Sequence, residues 1–483
     1  MTRRETLWHG ATGIALICSF DKVARLASAP SGKPGPARRG ELASPFDPFQ
    51  VDLPRPPVLQ PVHTTATVQR YEIAMREATA EILPGYETPI MGYQGIFPGP
   101  TIRARRGRRT VIRQTNELSD HVSVHLHGGL VPESSDGGLH DYHIAPGAAR
   151  TYYYPNEQPQ STLWYHDHVH GMVGEHLNAG LTAFYVLSDA DDRKYGLPSG
   201  GARDVPLMIQ DRSFLDDGSF AYAQNLGAGF FGDTILVNGA IAPRMRVQRR
   251  LYRLRFLNAS NARCYELVLG NNRPMHQIAT DGGLLPAPVT RRRIPLAPAE
   301  RAEVLVDFSQ FSAGSQLILR NVIGEPSTTA VMRFDVAGKA GKRARIPKRL
   351  GKLGKLPPTA ATQDVTLNFQ DDPAEWQING MGFEEDRIDW HPQLGTAEVW
   401  RFINDSEHAH PMHLHGCHFR VVAIDGKAPT GADRGWKDTV HVLPGQTIAV
   451  KPHFKQYAGR YVMHCHTAEH SDVAMMAIME IMQ

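Results

Sequence analysis

The chain has 483 residues, 41% apolar and 21% charged, too long for one ordinary domain and apolar enough to bury sizeable cores. Fifty-two basic against 49 acidic side chains leave a net charge of +3, which argues against nucleic acid or an anionic membrane as partner. Forty-four glycines and 35 prolines among many short β-rich runs favour an all-β architecture with frequent turns.

The first 29 residues read as an export signal. Thr2-Arg3-Arg4-Glu5-Thr6-Leu7 resembles a twin-arginine motif, an apolar run from Gly10 to Phe20 follows, and Ala27-Ser28-Ala29 suits cleavage. Thr6 stands where such motifs more often carry Phe, and Asp21 and Lys22 shorten the apolar run, which cannot span a bilayer. A periplasmic or extracellular location is therefore expected, without stable membrane insertion.

Beyond a Pro/Ala/Gly-rich stretch, Thr67–Ile73 gives a weak strand signal, because its odd-numbered face mixes Thr67 and Gln69 with Tyr71 and Ile73. Phe97-Pro98-Gly99-Pro100 is a turn entering a strand, and Thr110–Arg113 and Ser123–His127 read as further strands. A second unit opens near Asp204 and a third near Asp364. Between them, Lys339 to Lys355 carries eight Lys/Arg and no acid, interrupted by Gly and Pro, and reads as an exposed linker. The expected domains are 57–190, 204–337 and 359–483, with a basic linker over 338–358, each a β-sandwich.

Of four cysteines, Cys18 falls in the presumed signal. A Cys264–Cys417 disulfide is arithmetically possible if Cys465 binds metal. Two buried free thiols fit better, because the two residues lie in different expected domains.

The chemistry concentrates in four histidine clusters. These are His125-Leu126-His127, His166-Asp167-His168, His410-Pro411-Met412-His413-Leu414-His415, and His464-Cys465-His466 followed by His470 and Met475. Successive side chains on a strand point to opposite faces, so each H-x-H pair presents two imidazoles to one cavity. His464 and His466 then look one way and Cys465 the other. His410, three residues from His413, falls on the cysteine side. A turn after the strand could return His470 and Met475 to that side. Thiolate, imidazole and thioether together select copper, and eight further imidazoles exceed the four ligands at which a structural zinc site closes.

On these motifs the chain resembles the multicopper oxidases: laccases, bilirubin oxidases, spore-coat-type oxidases and bacterial cuprous oxidases. The resemblance runs from about Pro57 to Gln483. It implies three consecutive cupredoxin-like Greek-key β-sandwiches and four copper ions per chain. His410, Cys465, His470 and Met475 correspond to the type 1 ligands, and His125 and His413 to the type 2 ligands. His127, His166, His168, His415, His464 and His466 correspond to the ligands of the type 3 pair. Strand parity separates the two compartments; the division between type 2 and type 3 comes from the family alone.

The same resemblance implies an oxidase that takes single electrons from a small phenolic or aromatic amine donor and reduces O2 to water. Asp136, in Ser134-Ser135-Asp136-Gly137-Gly138, corresponds to the acid beside the trinuclear cluster; otherwise it serves as an Asx turn. Ser471 stands where many laccase-like relatives carry a glutamate in the proton path, and Glu469 and Asp472 flank it. Cuprous-ion oxidation is the nearest alternative, but such relatives carry a methionine-rich segment, and Met381 is the only methionine between Leu356 and Arg401. A non-catalytic copper-binding member is a further alternative, against which stands the full ligand set. His140, His143, His170, His176, His408, His418, His441 and His453 match no ligand position and are expected to be surface or supporting residues.

Overall fold

Among the described residues, short strands separated by glycine and proline turns build six sheets, and each of the three largest apolar core clusters draws side chains from two of them. The computed structural model describes residues 48–341, 345–371 and 374–483; the expected export signal lies outside the described residues. The first sandwich pairs a five-stranded sheet, running from His63–Thr64 to Ala149–Tyr154, with a four-stranded sheet. The latter comprises Ile102–Arg105, Val124–His127, Ser161–Asp167 and Thr182–Ser188. A seven-stranded and a five-stranded sheet form the middle sandwich, and a six-stranded and a five-stranded sheet form the last.

One pairing recurs in all three. Val68–Ala80 runs parallel to Arg109–Asn116, Asp204–Arg212 to Leu251–Asn258, and Thr359–Asp371 to Ala397–Asn404. Parallel neighbours need a long crossover, so this marks a repeated topology that leaves no repeat in the sequence. The weak strand signal near residue 67 belongs to Val68–Ala80, whose Tyr71, Ile73 and Met75 point into the core. Of these, Met75 lies beyond Thr67–Ile73, so that segment carries only the start of the alternation.

Strand parity sets the architecture of the site. On Val124–His127, Val124 and Leu126 enter the first core, while His125 and His127 lie on the opposite face. On Ser161–Asp167, Leu163 and Tyr165 are core residues, whereas Trp164 and His166 face the other way. The last sandwich repeats this. Met412, Leu414, Met463 and Cys465 belong to its core, and His413 and His464 are cross-strand partners on the outer face. All these outward imidazoles are nevertheless buried, because the outer faces of the first and last sandwiches close on each other. A compartment lined by imidazoles follows from two faces that would otherwise meet water.

The middle sandwich joins the first through buried charge. Arg253 and Arg255 alternate with Leu254 and Phe256 on one strand, so both guanidiniums leave the core. Arg253 pairs with Asp192 at 2.6 Å and Arg255 with Asp204 at 2.6 Å, and both contact Glu303. Glu303 also accepts from Thr162 of the first sandwich at 2.7 Å.

The described parts of the basic stretch, residues 338–341 and 345–358, contain neither helix nor strand. The stretch is anchored rather than free along its length: Leu350 is buried, and its N–H donates to Pro286 O at 2.8 Å. A charge count over this segment gives no sign of that apolar anchor.

Candidate metal centre

Two donor groups lie back to back across the strand Gly459–Cys465. The first contains sulfur. Cys465 Sγ lies 3.5 Å from His410 Nδ1 and 3.7 Å from His470 Nδ1. His410 reaches this side because it shares a face with Met412, the cross-strand partner of Cys465. His470 reaches it through the short helix Ala468–Val473, which turns the chain back. Met475 follows that helix, fully buried in the same apolar cluster as Cys465, with its carbonyl accepting from the Cys465 N–H at 3.0 Å.

Hydrogen bonding sets the form of these donors. His470 donates Nε2–H to Gly227 O at 3.1 Å, which leaves the Nδ1 lone pair directed at the sulfur. Burial pushes the Cys465 thiol up to about 12. A bound cation reverses that shift, because a coordinating thiol is deprotonated outright.

The second group holds the eight paired imidazoles. Four of them are oriented by main-chain carbonyls. His125 donates Nδ1–H to Asp136 O at 2.8 Å, His166 to Asp167 O at 2.7 Å, His413 to Asp438 O at 2.8 Å, and His464 to Cys465 O at 2.9 Å. Each is thereby fixed with an Nε2 lone pair pointing inward. The Nε2 atoms of His125, His127, His166 and His413 and both ring nitrogens of His466 are buried without a hydrogen-bond partner. His464 Nε2 faces His168 Nε2 at 3.1 Å and His415 Nε2 at 3.2 Å. Converging lone pairs in a dry cavity are unfavourable on their own, and a metal cation between them removes the conflict.

Electrostatics favours the ligand form throughout. Burial lowers His166 and His464 to about 4 and His413 to about 3, so the imidazoles stay neutral. Soft sulfur with imidazole, beside an all-imidazole cavity, is a donor set suited to copper.

Asp136 lies at the edge of this compartment. Its Oδ2 is 2.7 Å from His415 Nδ1, and burial raises the carboxyl to about 8, against the opposing Gly138 N–H. A cation among the neighbouring imidazoles would pull it back down. Ser471 is buried one residue beyond His470. Of its flanking acids, Asp472 accepts from Val173 N at 2.9 Å and Gly174 N at 2.8 Å. Glu469 accepts from Asn261 at 2.8 Å and Tyr222 at 3.0 Å. Both carboxyls are thus turned toward the helix Val173–Ala179 and its surroundings.

Three contributors carried no motif. Asp438 holds His413 through its carbonyl and pairs with the buried Arg301, Nη1 to Oδ1 at 2.7 Å. Trp164 stacks on His166 with ring centroids 4.3 Å apart. Trp376 lies against both imidazoles of the sulfur-containing group. Trp164 could have been found by parity, two residues before His166. Asp438 and Trp376 come from distant segments and had no local signal.

Two of the remaining histidines take supporting places. His176 Nδ1 lies 2.8 Å from Asp167 Oδ2, bracing the residue between His166 and His168. His418 Nε2 donates to Gly128 O at 2.9 Å, next to His127. His140, His143 and His170 line a cavity of about 170 Å³. None of the three cysteines among the described residues forms a disulfide; Cys417 is buried, whereas Cys264 is only half-buried, with its sulfur 3.6 Å from His441 Nε2.

Residues 74–192 and 355–483 match family models described as multicopper oxidase. A laccase of Bacillus stratosphericus is 35% identical, with 90% of this chain and 99% of the relative covered. A bilirubin oxidase of Albifimbria verrucaria is 32% identical over 97% of this chain and 88% of the relative. The crystal structure of a laccase from Pediococcus acidilactici superposes with a TM-score of 0.85 at 31% identity, covering 91% of this chain and 95% of that one.

Proposed function

The chain belongs to the multicopper oxidase family and is a laccase-like copper oxidoreductase with O2 as acceptor; on that premise we propose how its donors divide the metal. His410, Cys465, His470 and Met475 would hold one type 1 copper. His125 and His413 hold the type 2 copper. His127, His166, His168, His415, His464 and His466 hold the type 3 pair, giving four copper ions per chain. The division between type 2 and type 3 follows the family; the observation that carries the separation of the sulfur-containing site from the imidazole compartment is the opposed aim of adjacent side chains. Cys465 Sγ approaches His410 and His470, while the imidazole of the preceding residue, His464, approaches His168 and His415.

Copper, once bound, supplies one-electron oxidation of the donor and four-electron reduction of O2 to two waters. The polypeptide does the rest. Cys465 and its two neighbours form the shortest covalent path between the compartments. The carbonyls of Asp136, Asp167, Asp438 and Cys465 fix the tautomers, so the compartment stays rigid while charge changes. Asp136, through Oδ2 on His415 Nδ1, is the acid that serves the oxygen-reducing compartment. Ser471 cannot supply a proton as a glutamate would, so water or another acid serves that proton path.

The reductants are electron-rich phenols and aromatic amines, in keeping with the laccase and bilirubin oxidase relatives. Met475 as a ligand would suit such donors, because a thioether would lower the potential relative to an apolar residue at that position. Three cupredoxin-like domains over 57–190, 204–337 and 359–483, joined in part by the basic stretch 338–358, and export directed by residues 1–29 complete the proposal. Among the described residues, no helix is long and apolar enough to cross a membrane.

A paired oxygen-electrode assay tests the function. Copper-loaded protein is given a phenol in one cell and Cu(I) in the other. Oxygen uptake with the phenol is expected. Uptake with Cu(I) alone would assign the chain to the cuprous oxidases, and uptake with neither would leave it a copper-binding protein.

A further inference from the structure

Neither imidazole of the sulfur-containing group presents its outer nitrogen to a donor. His410 Nε2 lies 2.8 Å from Ser406 Oγ, and His470 Nε2 is taken by Gly227 O. Over both lies Trp376, only 2% exposed, with its ring centroid 4.3 Å from that of His470 and 4.9 Å from that of His410. The indole plane is inclined 31° to His470, close to a stack. Its N–H donates to Leu226 O at 2.7 Å, which locks the ring.

The series of rings continues outward. Trp376 and Phe369 are directly opposed on neighbouring strands, and their ring centroids are 4.7 Å apart. Phe369 is 38% exposed and Leu226 45% exposed. Here one aromatic ring reaches solvent, the next is enclosed, and the third is the imidazole beside Cys465.

We propose that Trp376 is the bridge through which an electron from a planar aromatic reductant, resting on Phe369, reaches His470. The inference rests on the copper assignment above and names where its donor makes contact. One electron leaves the reductant, and a phenol that also loses its hydroxyl proton to water becomes a phenoxyl radical. The electron would be received at the metal site that Cys465, His410 and His470 form, and O2 is the terminal oxidant. Trp376 gains and loses nothing overall, and its N–H stays on Leu226 O. Its indole contributes an extended π-system at contact distance from both neighbours.

His408 offers a competing path, since its ring centroid is 6.2 Å from that of His470 and 5.4 Å from that of Trp376. The test therefore uses Trp376→Phe, Trp376→Leu, Phe369→Ala and His408→Ala. Each copper-loaded protein is mixed anaerobically with a phenol, and bleaching of the visible copper band is followed in a single turnover. The band position, the reduction potential and the KM for the phenol are measured alongside.

Trp376→Leu is expected to slow bleaching by about an order of magnitude with band and potential unchanged, and Trp376→Phe to recover most of the rate. Phe369→Ala, at a position 38% exposed, raises KM at constant potential, so the proposal stays testable if Trp376→Leu does not fold. His408→Ala leaves the rate alone. Wild-type bleaching in Trp376→Leu, an unchanged KM in Phe369→Ala, a loss explained by a shifted potential, or slowing in His408→Ala instead would overturn the bridge. Absence of the band from the wild-type protein would remove the copper assignment itself, a result distinct from all of these.

Discussion

Replacing Asp438 by Asn tests whether the imidazole compartment depends on a charge that no motif announces. Asp438 is fully buried, and its carboxylate takes a two-pronged contact from Arg301, with a further hydrogen bond from Thr439 Oγ1 at 2.9 Å. Its Oδ1 also stands 3.7 Å from His127 Nδ1 and 3.8 Å from His413 Nδ1. Removing one partner of a buried pair costs about 3–5 kcal/mol, because the other charge is left uncompensated. Arg301 keeps Ala299 O at 2.8 Å, Thr162 O at 3.0 Å and Asp281 at 3.8 Å, so the lower end, about 3 kcal/mol, is expected. Loss of an outer partner to ligand imidazoles weakens metal binding by about 10–100-fold. Denaturant unfolding of the metal-free protein measures the first effect, and copper retention against a chelator measures the second. Metal-free Asp438→Asn within about 1 kcal/mol of wild type, with copper held equally well, would refute the reasoning.

Other outcomes follow from the same structure. Burial alone would raise the Asp204 carboxyl, but Arg255 overcomes it and holds the group well below the ordinary carboxylate range. Its stabilisation is therefore full above the unfolded value near about 4 and is lost as pH falls below it, so Asp204→Asn should flatten the acid limb of a stability–pH curve. Gly128 has φ +78°, and a Cβ there would strike Asp438 and Arg301; Gly128→Ala should cost more than about 1 kcal/mol in denaturant unfolding. Denatured, metal-free protein lacking residues 1–29 should titrate three thiols, Cys264, Cys417 and Cys465, whereas a Cys264–Cys417 disulfide would leave one.

Much of the site was legible because it follows from strand parity. His125, His127, His413 and His464 needed only alternation to be assigned to one side, and His410 and Cys465 to the other. Parity ended where the strands ended. His470 and Met475 depend on the turn of Ala468–Val473, a six-residue helix with no side-chain cap to announce it. Asp438 and Arg301 are 137 residues apart and meet only because two sandwiches close on each other. Trp376 had no periodic signal, since its importance comes from a loop near Gly227 and from Phe369 across a hairpin. The buried arginines of Leu251–Asn258 illustrate the same limit: alternating charge on a strand reads as a solvent face until a second sandwich covers it.

Copper counting on the wild-type chain and on Cys465→Ser, each with its visible spectrum, reaches the centre of the account. Four ions and an intense band are expected in the former. In the variant, three ions should remain, the band should vanish, and phenol-driven oxygen uptake should stop. A wild-type chain holding one ion or none, or a Cys465→Ser protein that keeps the band, would contradict it.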